Sequence, residues 1–255
     1  MIQGVAGICF LTLFVTSLVV GVRLLILARR TRQISELVLG LSFVLMMGIA
    51  YPLMLLARNE ELLGVATASV LMVVGSAALN ASIFMIFLFT WKVFRPDTGW
   101  ARALTFGAVP LSVLHVFAVA YLVTARGGIG AALAETSRSG LLVLLLDGVA
   151  YTWTAAESWR YYGLLKRRLA LGLTDPVLCN RFLLWASTAG VTVFGILANI
   201  AFLLADVDVL RTPFAVLVTA LTGLAQAALL YLTFLAPARY TDAVRHRATR
   251  ALRES

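Results

Sequence analysis

The sequence predicts an all-α, polytopic membrane protein built as a seven-transmembrane helix bundle. Seven separate stretches of its 255 residues are apolar, and each is long enough to cross a bilayer. A transmembrane helix needs about 20 mostly apolar residues to cover the ~30 Å hydrocarbon layer. Hydrophobic residues make up 61% of the chain, and its mean hydropathy is +0.95. These values exclude an ordinary water-soluble domain.

The apolar stretches leave little of the chain outside the membrane. We number them spans 1 to 7 and place them at residues 5–27, 36–57, 62–91, 103–124, 140–165, 182–205 and 212–236. Because the connecting segments are short, residues 1–237 are predicted to form one transmembrane domain. The basic tail at 238–255 is either an amphipathic helix on the membrane surface or a solvated chain end. The glycine-rich segment 126–139 is expected to be a mobile loop.

The positions of the basic residues predict the orientation of the bundle. Of the 21 Lys and Arg residues, 17 lie at the end where spans 1, 3, 5 and 7 finish, and four lie at the other end. Lys and Arg beside transmembrane helices favour the cytoplasmic side. The sequence therefore predicts an outside N-terminus, a cytoplasmic C-terminus and a location in the cell membrane. The net charge of +9 would then face anionic lipid headgroups rather than nucleic acid.

Spans 1, 2 and 4 have features that set their expected form. No basic residue precedes span 1, and Arg23, Arg29 and Arg30 follow its apolar part, so we interpret it as a mature helix rather than a secretory signal. Spans 2 and 4 contain Pro52 and Pro110. Proline removes a backbone hydrogen bond, so both helices are expected to kink and release a carbonyl.

Similar endings of spans 1 and 5 indicate an internal repeat. Both spans end with three basic residues at identical spacing, which are Arg23, Arg29 and Arg30 in span 1 and Arg160, Lys166 and Arg167 in span 5. Spans 1–3 would correspond to spans 5–7, with span 4 as the connector, in a parallel 3+1+3 repeat. The alternative is that every helix ending at the cytoplasm needs basic residues there.

Span 5 carries polar side chains along one helical face. At ~100° per residue, this face holds Asp147, Tyr151, Thr154 and Ser158, with Glu157 beside it. A charge at mid-bilayer costs about 2.5–3.5 kcal/mol, so such residues usually face the bundle interior and are paired or protonated. The face is therefore predicted to line a ligand site or proton path. Alternatively, Glu157 pairs at the interface with Arg160 or Tyr161, and Asp147 belongs to a network that reaches the outer surface.

Four further spans each carry one amide or imidazole side chain away from their ends. These side chains are Asn80, His115, Asn199 and Gln226 in spans 3, 4, 6 and 7. Such groups commonly join membrane helices by hydrogen bonds worth ~0.6–2 kcal/mol, and the alternative is contact with a ligand. His115 could also relay protons. A single membrane histidine cannot supply a bis-His haem or an intramembrane zinc site, so no metal or cofactor is predicted.

The motifs of the common enzyme classes are absent from the sequence. It contains no P-loop, no nucleophile elbow and no His-Glu-x-x-His, so we do not expect an enzyme. Span 7 has no lysine, which excludes a retinal Schiff base there. The chain is similar to rhodopsin-like and sugar-efflux SWEET proteins in helix number and suggested repetition alone, which assigns no family.

Three functional interpretations follow from this pattern. The preferred one is a receptor-like sensor or signalling module that binds a small or lipidic ligand within the bundle. It would signal to a cytoplasmic effector through its basic loops and tail. The alternatives are a proton-coupled small-solute transporter that uses the intramembrane carboxylates and a non-catalytic membrane accessory protein.

Overall fold

In the part of the chain that the structure describes, seven helices are long and apolar enough to span a membrane. The computed structural model describes residues 2–209 and 211–254, with side chains at 4–132, 139–209 and 211–248. Within these residues all regular structure is helical. Spans 1 to 7 cover Gly4–Thr31, Ile34–Ala57, Val65–Phe94, Gly99–Ala125, Ser139–Ala170, Pro176–Leu204 and Pro213–Phe234. The prediction of an all-helical fold with seven helices long and apolar enough to span a membrane is confirmed.

The spans form a ring in chain order. Each span packs against the next one, and span 7 returns to span 1. Span 3 also packs against span 5, which leaves span 4 on the outside of the ring. The interior is therefore surrounded by spans 1, 2, 3, 5, 6 and 7. We call the end where spans 1, 3, 5 and 7 finish the basic end, and the other the opposite end.

Span 2 contains a π-helical segment because of its proline. The chain is α-helical over Ile34–Phe43, π-helical over Val44–Ala50 and α-helical again over Tyr51–Ala57. Pro52 has no N–H for the carbonyl four residues earlier, and its ring clashes with that carbonyl. A wider π turn before the proline relieves the clash. Pro110 lies inside the continuous helix Gly99–Ala125.

A glycine in span 3 lets that helix approach the same part of span 2. A Cβ atom on Gly75 would lie 2.7 Å from Cγ of Met54 and 3.2 Å from the carbonyl oxygen of Ala50. These distances are shorter than ordinary van der Waals contact, so only glycine fits without a shift. The contact holds span 3 against the end of the π-helical segment.

The segment between spans 4 and 5 differs from the prediction. The helix that contains span 5 begins at Ile129 and runs to Ala170, over 42 residues. Its N-terminus is capped by the Glu60 carboxylate, which accepts hydrogen bonds from the backbone N–H of Ile129 and, at 3.1 Å, of Gly130. A carboxylate at a helix N-terminus satisfies free N–H groups and opposes the helix dipole favourably. The prediction of a mobile loop is therefore wrong for residues 129–139, which are helical.

The tail is helical over Ala238–Glu254. Near its start, the Tyr240 hydroxyl accepts a hydrogen bond of 2.9 Å from Nδ2 of Asn180 in span 6. Contact of this helix with lipid headgroups stays a prediction, as do the orientation of the bundle and the parallel 3+1+3 repeat.

Candidate functional site

The polar face of span 5 points into the bundle. Tyr151 is buried, and Thr154 and Ser158 are fully buried. Leu145 and Val149 are about half exposed. At ~100° per residue they lie on the side of the helix away from the polar face. Span 5 therefore turns its apolar side to lipid and its polar side to the interior.

Asp147 has an oxygen atom without a hydrogen-bond partner inside the protein. Its Oδ1 is buried and accepts no hydrogen bond, and among the described residues no Lys or Arg forms an ion pair with it. The side chain as a whole is only half-buried. Since it points away from the lipid-facing side of span 5, its uncovered surface borders the interior of the ring.

Two tyrosines lie near the Asp147 carboxylate. Tyr151 is one turn further along span 5, and Tyr51 is the first residue after the π-helical segment of span 2. Both hydroxyl groups are close enough to Asp147 to interact with it electrostatically. The ring of Tyr51 also meets that of Phe10 in span 1 edge to face, with centroids 6.3 Å apart. The sequence prediction included Tyr151 but missed Tyr51. Its position directly before Pro52, where span 2 is expected to be irregular, is the signal that could have indicated it.

The walls at the level of Asp147 are made of small and aliphatic side chains. Ile196 of span 6 lies 3.5 Å from where a Cβ of Gly148 would be. A Cβ atom on Gly223 of span 7 would lie 3.6 Å from Cδ2 of Leu13 in span 1. An apolar wall around one carboxylate and two phenols resembles the usual composition of a small-molecule site.

Two of the predicted polar residues lie on spans 6 and 7 near this region. Gln226 donates a hydrogen bond of 3.1 Å from Nε2 to Oγ1 of Thr192, which joins spans 7 and 6. Asn199 donates from Nδ2 to the carbonyl oxygen of Gly195 in its own helix, at 2.8 Å. Both side chains are half-buried. Their contact with a ligand stays a prediction.

Glu157 is in a different environment from Asp147. Its Oε1 lies 2.7 Å from Nε of Arg95, and its Oε2 lies 3.8 Å from Nη1 of Arg160. The sequence indicated Arg160 as a partner, but the shorter contact is to Arg95, just after span 3. One turn away, Oγ1 atoms of Thr90 and Thr154 are hydrogen-bonded at 2.6 Å. These contacts join span 5 to span 3 near the basic end.

An aromatic layer fills the bundle at the level of Glu157, on the basic side of Asp147. Trp185 is at its centre, with ring centroids 6.5 Å from Phe43, 5.8 Å from Phe89 and 5.7 Å from Phe234. The outer rings of the layer are Phe94, Tyr161 and Phe182. Together these seven rings connect spans 2, 3, 5, 6 and 7. The basic half of the ring is thus filled by packed side chains.

His115 and Asn80 form a separate polar cluster between spans 3 and 4. Asn80 donates a hydrogen bond of 2.9 Å from Nδ2 to Nδ1 of His115 and another of 2.8 Å to the carbonyl oxygen of Ser76. Asn80 Oδ1 and Ser112 Oγ are buried without a hydrogen-bond partner. Because span 4 lies outside the ring, this cluster does not join the site around Asp147.

The predicted site residues therefore divide into four groups. Asp147 and Tyr151 lie in the opposite half with Tyr51, and Thr154, Glu157 and Ser158 lie towards the basic end. His115 and Asn80 lie between spans 4 and 3, and Asn199 and Gln226 lie on spans 6 and 7. Within the described residues, no group of three or more His, Cys, Asp or Glu side chains is arranged to hold a metal ion.

Neither sequence nor structure comparison relates this chain to a known protein. No family model, no curated protein and no solved structure matches it significantly.

Proposed function

We propose that this protein is a receptor-like membrane sensor that binds a small or lipidic ligand in the half of the bundle away from the basic end. One observation supports this proposal above the others. The interior of that half contains the Asp147 carboxylate with an unused oxygen, whereas the basic half is filled by the aromatic layer. A carboxylate oxygen left without a partner in one half, and packed rings across the other half, favour binding over passage through the bundle.

The proposed orientation follows from the basic residues. With the basic end in the cytoplasm, a ligand would reach Asp147 from the outside or from the outer leaflet. Span 5 connects that site to the basic loop before Pro176, because Asp147 and the Arg95–Glu157 pair belong to one continuous helix. A shift of span 5 on binding would change the surface presented to a cytoplasmic effector. No step of this scheme requires catalysis.

Two measurements on the purified protein test the proposal. In nanodiscs, a panel of small neutral, cationic and anionic amphiphiles is screened for an increase in unfolding temperature, since a ligand that binds only the folded state stabilises it. In sealed vesicles, the flux of the compounds that bind is measured with and without a pH gradient. We expect at least one stabilising compound and no flux above that of empty vesicles. Flux that disappears in Asp147→Asn would instead establish a transporter.

A further inference from the structure

We propose that Asp147, with Tyr51 and Tyr151, forms a binding site for the protonated amine of a hydrophobic ligand. This inference rests on the proposed function and deepens it by naming the class of ligand. The observations that carry it are the unused Asp147 oxygen, the two phenols beside it and the apolar walls at the same level of the bundle.

The charge of the site selects a cation. An ionised carboxylate in a membrane interior is costly unless it has a partner, and the described residues give Asp147 none. Protonation would remove the charge but would leave a carboxyl oxygen without a donor. A ligand ammonium group supplies both the opposite charge and an N–H donor, and such charge-assisted hydrogen bonds are the strong ones.

The two tyrosines fit the same kind of ligand. Aromatic ring faces attract cations, and phenol hydroxyls accept hydrogen bonds from ammonium N–H groups. Tyr51 reaches the site from span 2 and Tyr151 from span 5, so the cation would be held between two helices. An anion would face the Asp147 carboxylate and the negative ring faces, and it is disfavoured for both reasons.

The small and aliphatic residues in these walls favour an apolar group next to the ammonium. Leu13, Ile196 and the glycines opposite them offer no donor or acceptor side chain. Each polar group of a ligand placed against them would lose its hydrogen bonds to water without replacement. An arylalkyl or alkyl amine meets both demands, whereas a sugar or a free amino acid does not.

The test compares four compounds that share one carbon skeleton. They are phenethylamine, its trimethylammonium analogue, neutral 2-phenylethanol and anionic phenylacetate. Dissociation constants are measured by isothermal titration against the protein in nanodiscs, with empty nanodiscs subtracted. We expect the two cations to bind, with phenethylamine tighter because it keeps its N–H donors. Phenylacetate should not bind.

Substitutions then connect the binding to the site. Asp147→Asn keeps the shape of the side chain and removes its charge, so affinity for phenethylamine should fall about 100-fold. Tyr151→Phe should weaken it about fivefold, since it removes one hydroxyl and keeps the ring. Asp97→Asn makes the same chemical change in an exposed turn after span 3 and should leave the affinity unchanged. Retained unfolding temperatures confirm that each variant is folded.

The outcomes separate this inference from the proposed function. Absence of amine binding, or binding that Asp147→Asn leaves intact, overturns the amine site. If 2-phenylethanol or another uncharged compound binds equally well in the wild type and in Asp147→Asn, the sensor proposal stands without this ligand class. If the amines bind and cross vesicle membranes in an Asp147-dependent manner, the site is correct and the sensor proposal is wrong.

Discussion

Span 5 holds two carboxylates about 15 Å apart along one helix, and their surroundings are opposite. Glu157 lies 2.7 Å from Arg95 and has Arg160 as a second partner at 3.8 Å. Asp147 has a buried oxygen with no hydrogen bond. Towards the basic end the aromatic rings pack into a continuous layer, whereas the residues beside Asp147 are small or aliphatic. Under the proposed function, the Glu157 end of the bundle serves stability and the Asp147 end serves binding.

Stability and function make different demands on a buried charge. A charge that stabilises a fold has its partner in the same chain, as Glu157 has in Arg95. A charge that binds a ligand must lack that partner in the free protein, and the fold bears the cost. The free energy of unfolding should therefore fall when the partner of Glu157 is removed, and it should stay constant or rise when Asp147 is neutralised.

The largest effect is expected from Arg95→Gln. Glu157 has only 11% of its side chain exposed, and the substitution leaves it with the more distant Arg160. Removing one partner of a buried ion pair destabilises strongly, and for this partly exposed pair we expect a loss of about 2–4 kcal/mol in the free energy of unfolding. Reversible denaturant unfolding in micelles measures it.

The matched control is Arg160→Gln. The Arg160 side chain is 60% exposed, so its contact with Glu157 should contribute less than about 1 kcal/mol. An equal loss in the two variants would show that Arg95 is not the principal partner.

The next effect is expected from Gly75→Val, which acts on the half that contains Asp147. The added side chain would collide with Met54 and with the backbone of Ala50, and overpacking of this kind costs about 1–3 kcal/mol. It should also displace Tyr51, the residue after Ala50, and weaken phenethylamine binding. Gly190→Ala adds a Cβ where nothing lies within 4 Å. It should change neither the free energy of unfolding nor the affinity for phenethylamine. If Gly75→Val leaves the affinity for phenethylamine unaltered, the π-helical segment does not position the binding site.

Asp147→Asn should act in the opposite direction from Arg95→Gln. Without ligand, it removes a charge that has no partner, so the free energy of unfolding should stay constant or rise by up to about 2.5 kcal/mol. The same unfolding experiment measures it. A loss of more than about 1 kcal/mol, the typical value of a hydrogen bond, would mean that Asp147 has a structural partner and that the contrast with Glu157 is wrong.

The smallest effect is expected from Thr154→Val. This change removes the hydrogen bond of 2.6 Å to Thr90 and keeps the shape of the side chain. Interhelical bonds of this type contribute on average about 0.6 kcal/mol. Thr152→Val changes an exposed threonine on the same helix and serves as the control. A loss above about 2 kcal/mol in Thr154→Val would exceed the range for one such bond.

The helices and their buried faces could be predicted because they depend on local patterns. Apolar length determines a span, and the ~100° rotation per residue placed Asp147, Tyr151 and Thr154 on one inward face. Pro52 was expected to disturb span 2, and the π-helical segment lies directly before it. Each of these inferences needs only residues that are neighbours in the chain.

Contacts between helices could not be predicted from the same patterns. Arg95 is 62 residues from Glu157, and no spacing rule relates them, so the local Arg160 was chosen instead. Glu60 caps a helix that begins 69 residues later. Its carboxylate supplies the acceptors that the first backbone N–H groups need, which explains why a glycine-rich segment expected to be mobile is helical from Ile129.

The length of the helix Ile129–Ala170 has a mechanical consequence. Its 42 residues extend about 63 Å, roughly twice the hydrocarbon thickness. The Glu60 carboxylate holds its first turn by hydrogen bonds. If the helix tilts about this end, the sideways displacement is greatest at the other end. A swing of about 5° would carry the last turn some 5 Å sideways, a distance comparable to one helical pitch. A rigid helix of this length would convert a small tilt at one end into a displacement of several ångströms at the other end.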